Sequence, residues 1–250
     1  MKKTCKHLRY TFLFTILLMA CLLLGSTESV EASEVVAEGE WGTNITWTLD
    51  GEGTLTFSGT GKMAEGVSTY EVADETIFPW ITYVQDIKTV VVKKGITDVT
   101  SLAFAACNDY EEPDEYENLT TVRLGSTVKT IGVSAFSGCP NLKKVVLPKG
   151  LTTISERAFN SCKSLTDIEL PEKLTTIGKY SFGGCISLTD ITIPAKVKVI
   201  KASAFSACTK LSNLTFEKNT NKELKLGYQA FYKCKSFSTS CIAHFYHLLY

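Results

Sequence analysis

Three consecutive segments repeat one pattern of 23 residues: VKTIGVSAFSGCPNLKKVVLPKG (128–150), LTTISERAFNSCKSLTDIELPEK (151–173) and LTTIGKYSFGGCISLTDITIPAK (174–196). A related fourth copy begins at Val197. Each copy carries a phenylalanine at the same point and a cysteine three residues later. Repeats of about 20–50 residues are typical of solenoids, propellers and arrays. A period in the low twenties with a core of leucine and isoleucine indicates the leucine-rich-repeat class.

Each repeat predicts one coil of a solenoid. Within LTDIEL (165–170), apolar Ile168 and Leu170 alternate with Asp167 and Glu169, which is the pattern of a strand with one buried face. In three repeats a proline follows this frame and ends the strand, because proline has no N–H to donate. We therefore predict a right-handed leucine-rich-repeat solenoid with one parallel β-sheet. Short strands are expected on its opposite side, with a single helical or 3-10 turn at each phenylalanine.

Equivalent side chains of stacked coils are expected to form two interior columns. Nine cysteines in a secreted chain would ordinarily suggest disulfides. Side chains that point the same way do not meet disulfide geometry, however, so we expect mostly buried free thiols, with some neighbouring pairs open to oxidation. The columns comprise Phe104, Phe136, Phe159, Phe182, Phe205 and Phe231, and Cys107, Cys139, Cys162, Cys185, Cys208 and Cys234.

Residues 1–32 have the layout of a secretory signal peptide. Four basic residues within the first nine precede an apolar run over 11–24, and a small-residue cleavage pattern ends at Ala32. The alternative is lipid attachment at Cys21, which follows Leu18-Met19-Ala20. We expect a secreted or cell-surface protein that meets a membrane only through this leader or such a lipid. The net charge is zero and no basic stripe occurs, which argues against a nucleic-acid partner.

Residues 33–86 are expected to form a β-rich cap before the solenoid. Two alternating stretches around Trp47 and Phe57 flank Asp50-Gly51-Glu52-Gly53, which predicts a β-hairpin. The first coil of a solenoid exposes its apolar interior and needs a covering unit. All three tryptophans lie in this region, so an aromatic platform for a ligand such as a glycan is the alternative interpretation.

Residues 87–250 are expected to hold about six coils, interrupted by an acidic insertion at 108–118. The insertion has six carboxylates and is expected to leave the solenoid as a loop, because like charges at this density resist packing. It is either a tolerated surface insertion or a recognition loop for a basic partner or Ca²⁺. Its candidate residues are Asp109, Tyr110, Glu111, Glu112, Asp114, Glu115 and Tyr116. The C-terminal stretch from Phe237 fits the repeat poorly and is either a divergent closing coil or a poorly capped end.

The outward positions of the strands form the candidate binding face. Concave faces of strands are the usual binding surface of such arrays. Lys144 and Asp167 are expected to be neighbours, and Asp167, Glu169 and Asp190 form an acidic patch that is either solvated or able to hold a divalent cation. The candidate residues on this face are Thr121, Arg123, Lys144, Val146, Asp167, Glu169, Asp190, Thr192 and Asn213.

Catalysis is not expected, and we predict no catalytic residue, metal or cofactor. The chain has three histidines, and none falls between residues 33 and 243, so no triad with a histidine base can form there. Cys241, His244 and His247 have a weak resemblance to metal ligands, but no fourth ligand is evident in the apolar tail.

The segments AFSGCPNLKKVVLP, AFNSCKSLTDIELP and SFGGCISLTDITIP resemble the BspA-type (Treponema pallidum type) leucine-rich repeat of bacterial surface proteins. The resemblance covers about residues 87–236. It implies an extracellular protein for adhesion or partner binding, with no catalytic residues to carry over. The partner is expected to be a protein or a glycan. The alternative is a structural, self-associating component of the envelope or matrix without a specific ligand.

Overall fold

The computed structural model describes residues 33–65, 78–105, 116–166, 168–218 and 224–234. Its strands are β1 (Val35–Glu40), β2 (Ile45–Asp50), β3 (Thr54–Gly59), β4 (Gly61–Lys62), β5 (Thr89–Val92), β6 (Ile96–Val99), β7 (Thr121–Leu124), β8 (Thr130–Ile131), β9 (Lys144–Val146), β10 (Thr153–Ile154), β11 (Thr176–Ile177), β12 (Asp190–Ile193), β13 (Val199–Ile200), β14 (Asn213–Phe216) and β15 (Lys225–Leu226). A single 3-10 turn spans Ile81–Tyr83 within these ranges. The predicted signal peptide lies outside the described residues.

The predicted leucine-rich-repeat solenoid is confirmed: successive coils stack through parallel strands. On the side that we call the back, seven strands pair in the order β15-β13-β11-β10-β8-β6-β4. Thr130 pairs with Thr153 and Thr153 with Thr176, so the register advances by one repeat at each coil. The short opposite strands therefore form one continuous sheet rather than isolated segments.

The opposite side, which we call the front, carries the frames predicted as one parallel sheet. The structure divides it. A six-stranded sheet runs β1-β2-β3-β5-β7-β9, and β12 pairs with β14 in a separate two-stranded sheet. Residues 168–170 lie between the two and form no strand. The expectation of a single front sheet is therefore corrected, although the alternation of buried and exposed side chains continues through Ile168 and Glu169.

The phenylalanine corner is built from turns between coils, not from the expected helical or 3-10 turn. Along this corner, successive backbone N–H groups alternate between an acceptor in their own coil and an acceptor in the next coil. Ser137 N–H donates within its coil, to Ser134 O at 3.1 Å, whereas Phe136 N–H donates to Ala158 O of the next coil at 2.8 Å. Because half of the donors bond to the neighbouring coil, a continuous helical ladder cannot form. The second residue before each phenylalanine consequently adopts a left-handed φ, as at Arg157 (54°) and Tyr180 (53°).

Stacked aromatic rings form the centre of the core. Neighbouring phenylalanine rings lie 5.1–5.5 Å apart, with interplanar angles between 1° and 13°. These separations lie within the range favoured by aromatic pairs, and the stack removes each ring from water on both faces. The rings in this column are Phe104, Phe136, Phe159, Phe182, Phe205 and Phe231.

The cysteines beside this column are free thiols. Each Sγ donates to the carbonyl oxygen of the phenylalanine in the preceding coil, as Cys162 does to Phe136 O at 3.2 Å. Burial raises the pKa of the Cys185 thiol to about 12, although a hydrogen bond from the Cys162 backbone lowers it in part. The buried thiols of Cys139, Cys162, Cys185 and Cys208, whose pKa values are all raised, therefore stay protonated near neutral pH and act as donors. The described members are Cys139, Cys162, Cys185, Cys208 and Cys234, of which the last is half-buried.

Three antiparallel strands and a tryptophan cover the N-terminal end of the column. The predicted hairpin forms from β2 and β3, with β1 added on its outer side, and β3 then pairs in parallel with β5. Trp80 stacks on Phe104 at 6.0 Å, and its Nε1 donates to Ala103 O at 3.1 Å. In later coils the corresponding carbonyl accepts from the backbone of a phenylalanine, so the indole N–H replaces the missing preceding coil.

Removing one ring from the column should destabilise the fold strongly. Phe159→Ala leaves a cavity between two fully buried rings, and we expect it to lower the free energy of unfolding by about 3–5 kcal/mol in urea denaturation. Tyr228→Ala, at a side chain that is 72% exposed, is the control and should change it by less than about 0.5 kcal/mol. Equal losses in the two variants would contradict a shared aromatic core.

Candidate functional site

The front face presents its outward side chains in two groups. In the first group, Thr121 pairs with Lys144 and Arg123 with Val146 across the β7–β9 ladder. Arg123, Lys144 and Val146 are exposed, while the intervening Val122 and Val145 are buried. The rigid ladder therefore holds two cationic side chains and one exposed apolar side chain, Val146, toward solvent.

The second group lies on β12 and β14. Asp190 faces Asn213, and Thr192 faces Thr215, in the parallel register. Asn213 Nδ2 donates to one carboxylate oxygen of Asp190, and Thr189 Oγ1 donates to the other at 2.5 Å. These bonds from Thr189 and Asn213 hold the pKa of Asp190 below its usual range, because they stabilise the carboxylate. Asp190 is thus a fixed, exposed negative charge.

Glu169 lies between the two groups on the unpaired segment 168–170. It is exposed, but no strand pairing joins it to either group among the described residues. Asp167, the expected partner of Lys144, lies outside the described residues. In the described part of the chain, no cluster of three or more histidine, cysteine, aspartate or glutamate side chains could hold a metal ion.

A groove of about 850 Å³ opens where the front sheet is interrupted. One wall comprises residues 144–147 and the other residues 168–173. Lys129, Lys144, Lys149 and Lys173 line it together with Glu169 and Glu172, which leaves two net positive charges among its described residues. Within the same ranges, none of these six side chains forms an ion pair, since the salt bridge found there joins Arg157 to Glu156. The groove is therefore an open, cationic surface.

Sequence reasoning identified two of the charged residues around this groove, Lys144 and Glu169. It missed Lys149, Glu172 and Lys173 because they follow Pro148 and Pro171, in segments interpreted only as strand terminators, and it missed Lys129 because that residue lies just before the back strand β8. The available signal was the pair of charged tripeptides Pro148-Lys149-Gly150 and Pro171-Glu172-Lys173 in successive repeats. Strand termination by proline brings both tripeptides to the same edge of the coil stack.

The sequence analysis placed Tyr116 in an exposed recognition loop, and this prediction is wrong. Tyr116 is fully buried, its ring packs edge-on against Phe104 at 5.9 Å, and its hydroxyl donates to Ala103 O at 3.4 Å. Counted back from the strand leucine, Tyr116 precedes Leu119 as Cys139 precedes Leu142. It therefore occupies the column position that was assigned to Cys107 in this coil. Cys107 and the candidate loop residues 109–115 lie outside the described residues.

The tryptophans do not form the aromatic platform considered as an alternative. Trp47 and Trp80 are buried, and half-buried Trp41 packs edge-on against Trp80 at 5.4 Å, with its Nε1 donating to Ala64 O at 2.9 Å. The three rings pack in or against the core at the Phe104 end of the column, which buries their apolar surface.

A profile of the BspA type leucine-rich repeat region matches residues 114–238, in six copies. The chain belongs to the BspA-type leucine-rich repeat family. This family consists of repeat proteins that generally serve as non-catalytic binding scaffolds, and no enzymatic family is indicated. Comparison with curated proteins gave no significant match.

Solved structures of bacterial leucine-rich-repeat proteins share the fold. The Treponema pallidum leucine-rich repeat protein is 23% identical, with a TM-score of 0.50, and the alignment covers 82% of this chain and 94% of that one. A leucine-rich cell surface protein of Faecalibacterium prausnitzii is 22% identical, with a TM-score of 0.51 and coverages of 84% and 54%. A Bacteroides ovatus leucine-rich repeat protein is 23% identical, with a TM-score of 0.50 and coverages of 77% and 56%. This BspA-type chain thus spans about half the length of the last two.

The described ranges contain no helix that is both long and apolar enough to cross a membrane.

The charge of Asp190 should depend on its two side-chain donors. Asn213→Ala removes one hydrogen bond and is expected to raise the pKa of Asp190 toward its ordinary value, and Thr189→Val is expected to raise it further because that bond contributes more. Carboxyl-detected NMR titration measures both shifts. Asn141→Ala, which removes a bond to Glu117 O elsewhere on the surface, is the control. An unchanged Asp190 pKa in both variants would refute the arrangement.

Proposed function

We propose that this chain is a secreted or cell-surface BspA-type repeat protein that binds an extracellular protein partner without catalysis. The observation that carries this proposal is the front face, where charged and apolar side chains are held outward on paired backbone. Arg123, Lys144 and Val146 on one sheet and Asp190 and Asn213 on the other combine both signs of charge with exposed apolar surface. Such a mixture favours a protein surface, where charges select a partner and set its orientation.

A protein partner fits this surface better than a glycan. Sugar rings commonly pack on exposed aromatic side chains, and the described outward positions of the front strands carry none. The tryptophans, which would be the best candidates, lie in or against the core. Residues 109–115 of the acidic insertion remain a candidate recognition segment for a basic partner.

The proposed extracellular location rests on the N-terminal sequence. Residues 1–32 carry a basic start, an apolar run and a small-residue cleavage pattern. The similar F. prausnitzii structure is described as a cell surface protein, which supports this proposal.

The N-terminus of the exported protein tests the location. If residues 1–32 are a signal peptide, mass spectrometry of the protein recovered from culture medium or cell surface should show a mature chain that begins at Ser33. A diacylated chain that begins at Cys21 would indicate the lipoprotein alternative. Intact Met1 in a cytoplasmic fraction would overturn the proposed location.

Arrays of extracellular matrix proteins, bacterial surface proteins and glycans test the binding function. We expect capture of a protein, with affinity reduced about tenfold in the double variant Arg123→Glu/Asp190→Lys, because each substitution reverses an exposed charge on the front face. Lys163→Glu, a reversal at an exposed corner position, is the matched control and should bind normally.

Three results would contradict the binding proposal. Capture of glycans alone would point to a different ligand class. Self-association without capture of any other protein would favour the structural alternative. Equal binding by the wild type and the front-face variant would place the binding surface elsewhere.

A further inference from the structure

The connections that lead from the front of each coil to its back strand concentrate positive charge along one edge of the solenoid, which we call the lysine edge. Its eight lysines are all exposed and outnumber two glutamates, Glu172 and Glu217. The edge therefore carries six net positive charges, whereas the whole chain has a net charge of zero. The described connections are residues 93–95, 125–129, 147–152, 171–175, 194–198 and 217–218, and their lysines are Lys93, Lys94, Lys129, Lys149, Lys173, Lys196, Lys198 and Lys218.

Stacking of the coils brings these connections together in space. Lys129 N–H donates to Thr97 O at 2.7 Å and Thr152 N–H donates to Lys129 O at 2.9 Å, and the same bond recurs at the next three coils. Lys129 Nζ also reaches the following connection, where a Cβ on Gly150 would lie only 2.7 Å from it. The linear sequence shows no basic stripe because these lysines lie about one repeat apart, and the stacked coils create one.

Ion pairs do not neutralise the lysine edge. The salt bridge found within the described ranges joins Arg157 to Glu156 at the phenylalanine corner, so none of the eight lysines forms one there. Glu217 accepts instead from Ala195 N–H, at 3.1 Å, in the preceding connection. Like charges held on neighbouring coils repel one another, and a negatively charged ligand relieves this repulsion when it binds.

The spacing of the positive charges indicates a linear polymer as the ligand. Each of the six connections contributes one or two lysines. The five steps between phenylalanine rings of successive coils measure 5.1–5.5 Å and together span about 26 Å. This step is close to the length of one sugar ring in an extended polysaccharide. A chain with anionic groups on successive rings can therefore place its charges against lysines of successive coils.

The residue types favour a sulfated polysaccharide over a nucleic acid or a neutral glycan. The described connections contain no aromatic side chain, on which nucleic acid bases and the faces of neutral sugars stack. They also contain no arginine, whose planar fork suits phosphate and guanine. Lysine is a point charge on a flexible stem, which suits sulfate groups whose positions vary along a polysaccharide.

We propose that the lysine edge binds a linear sulfated polysaccharide, which lies along the solenoid with its sulfate groups on lysines of successive coils. This surface does not include Arg123 or Asp190, the front-face residues to which the protein partner is assigned. The inference therefore goes beyond the proposed function and does not depend on it.

Titration calorimetry of the full chain with heparin oligosaccharides of increasing length tests this proposal. We expect the affinity to rise with length and to level off once the oligosaccharide reaches all six coils. Lys149→Glu/Lys196→Glu should bind about tenfold more weakly, because two exposed charges in the middle of the edge are reversed. The affinity should fall steeply as salt is added, and less steeply in this variant, since fewer counterions are released on binding. Lys149→Gln/Lys196→Gln, which only removes the two charges, should show a smaller loss.

Two variants outside the edge serve as controls for heparin binding. Lys163→Glu/Lys210→Glu makes the same change in net charge at exposed positions elsewhere and should bind as the wild type does. The front-face variant Arg123→Glu/Asp190→Lys should also bind heparin normally, which separates this site from the proposed protein site. Absence of heparin binding, or equal losses in the edge variant and the Lys163/Lys210 control, would overturn the proposal. Equally tight binding of a DNA duplex of matched charge at the same salt concentration would assign the edge to another polymer and would also overturn it.

Discussion

Hydrogen bonding between coils is the constraint on which the structure depends. A single coil cannot satisfy its buried backbone groups, because its segments run past one another without pairing. Two lines of bonds between coils satisfy them throughout the repeats: the back sheet and the phenylalanine corner. Both lines require that equivalent residues of successive coils meet in register. The 23-residue repeat from Val128 to Lys196 meets this requirement, and the same corner bonds continue across the longer steps from Phe104 to Phe136 and from Phe205 to Phe231.

This arrangement separates the parts of the sequence that maintain the fold from the parts that are free to vary. Phe159 stacks on its equivalents in the neighbouring coils, and Cys162 donates to Phe136 O of the preceding coil, so the residue types at these positions are limited by the column. The outward positions, such as Lys144 and Asp190, are exposed to solvent and do not belong to the column. Binding specificity in this chain is therefore expected on the front face, where the framework places few demands on residue type.

The coil around residues 168–170 shows how this framework tolerates a local opening. Its back strand pairs normally, its phenylalanine stacks on both neighbours, and its cysteine donates to the preceding coil. Only the front ladder is absent. Two lines of hydrogen bonds and the aromatic core still hold the coil in place, so the solenoid continues through it.

The sequence by itself determined the architecture: the repeat period predicts stacked coils, the alternation in each frame predicts the buried face, and the phenylalanine spacing predicts the column. It also placed Arg123, Lys144 and Asp190 outward. These features follow from local periodicity, which fixes the side of the coil to which each side chain points. Only the tertiary structure decided whether adjacent frames pair, since LTDIEL and LTDITI have the same pattern, but residues 168–170 of the first form no strand whereas Asp190–Ile193 of the second do. Likewise, only the structure shows that Tyr116 takes the place of a cysteine by packing against Phe104. The corner does not form a helix because half of its N–H groups donate to carbonyl oxygens of the next coil. Strand pairing, burial and turn geometry depend on the contacts that a coil makes with its neighbours. The sequence of one repeat does not specify those contacts.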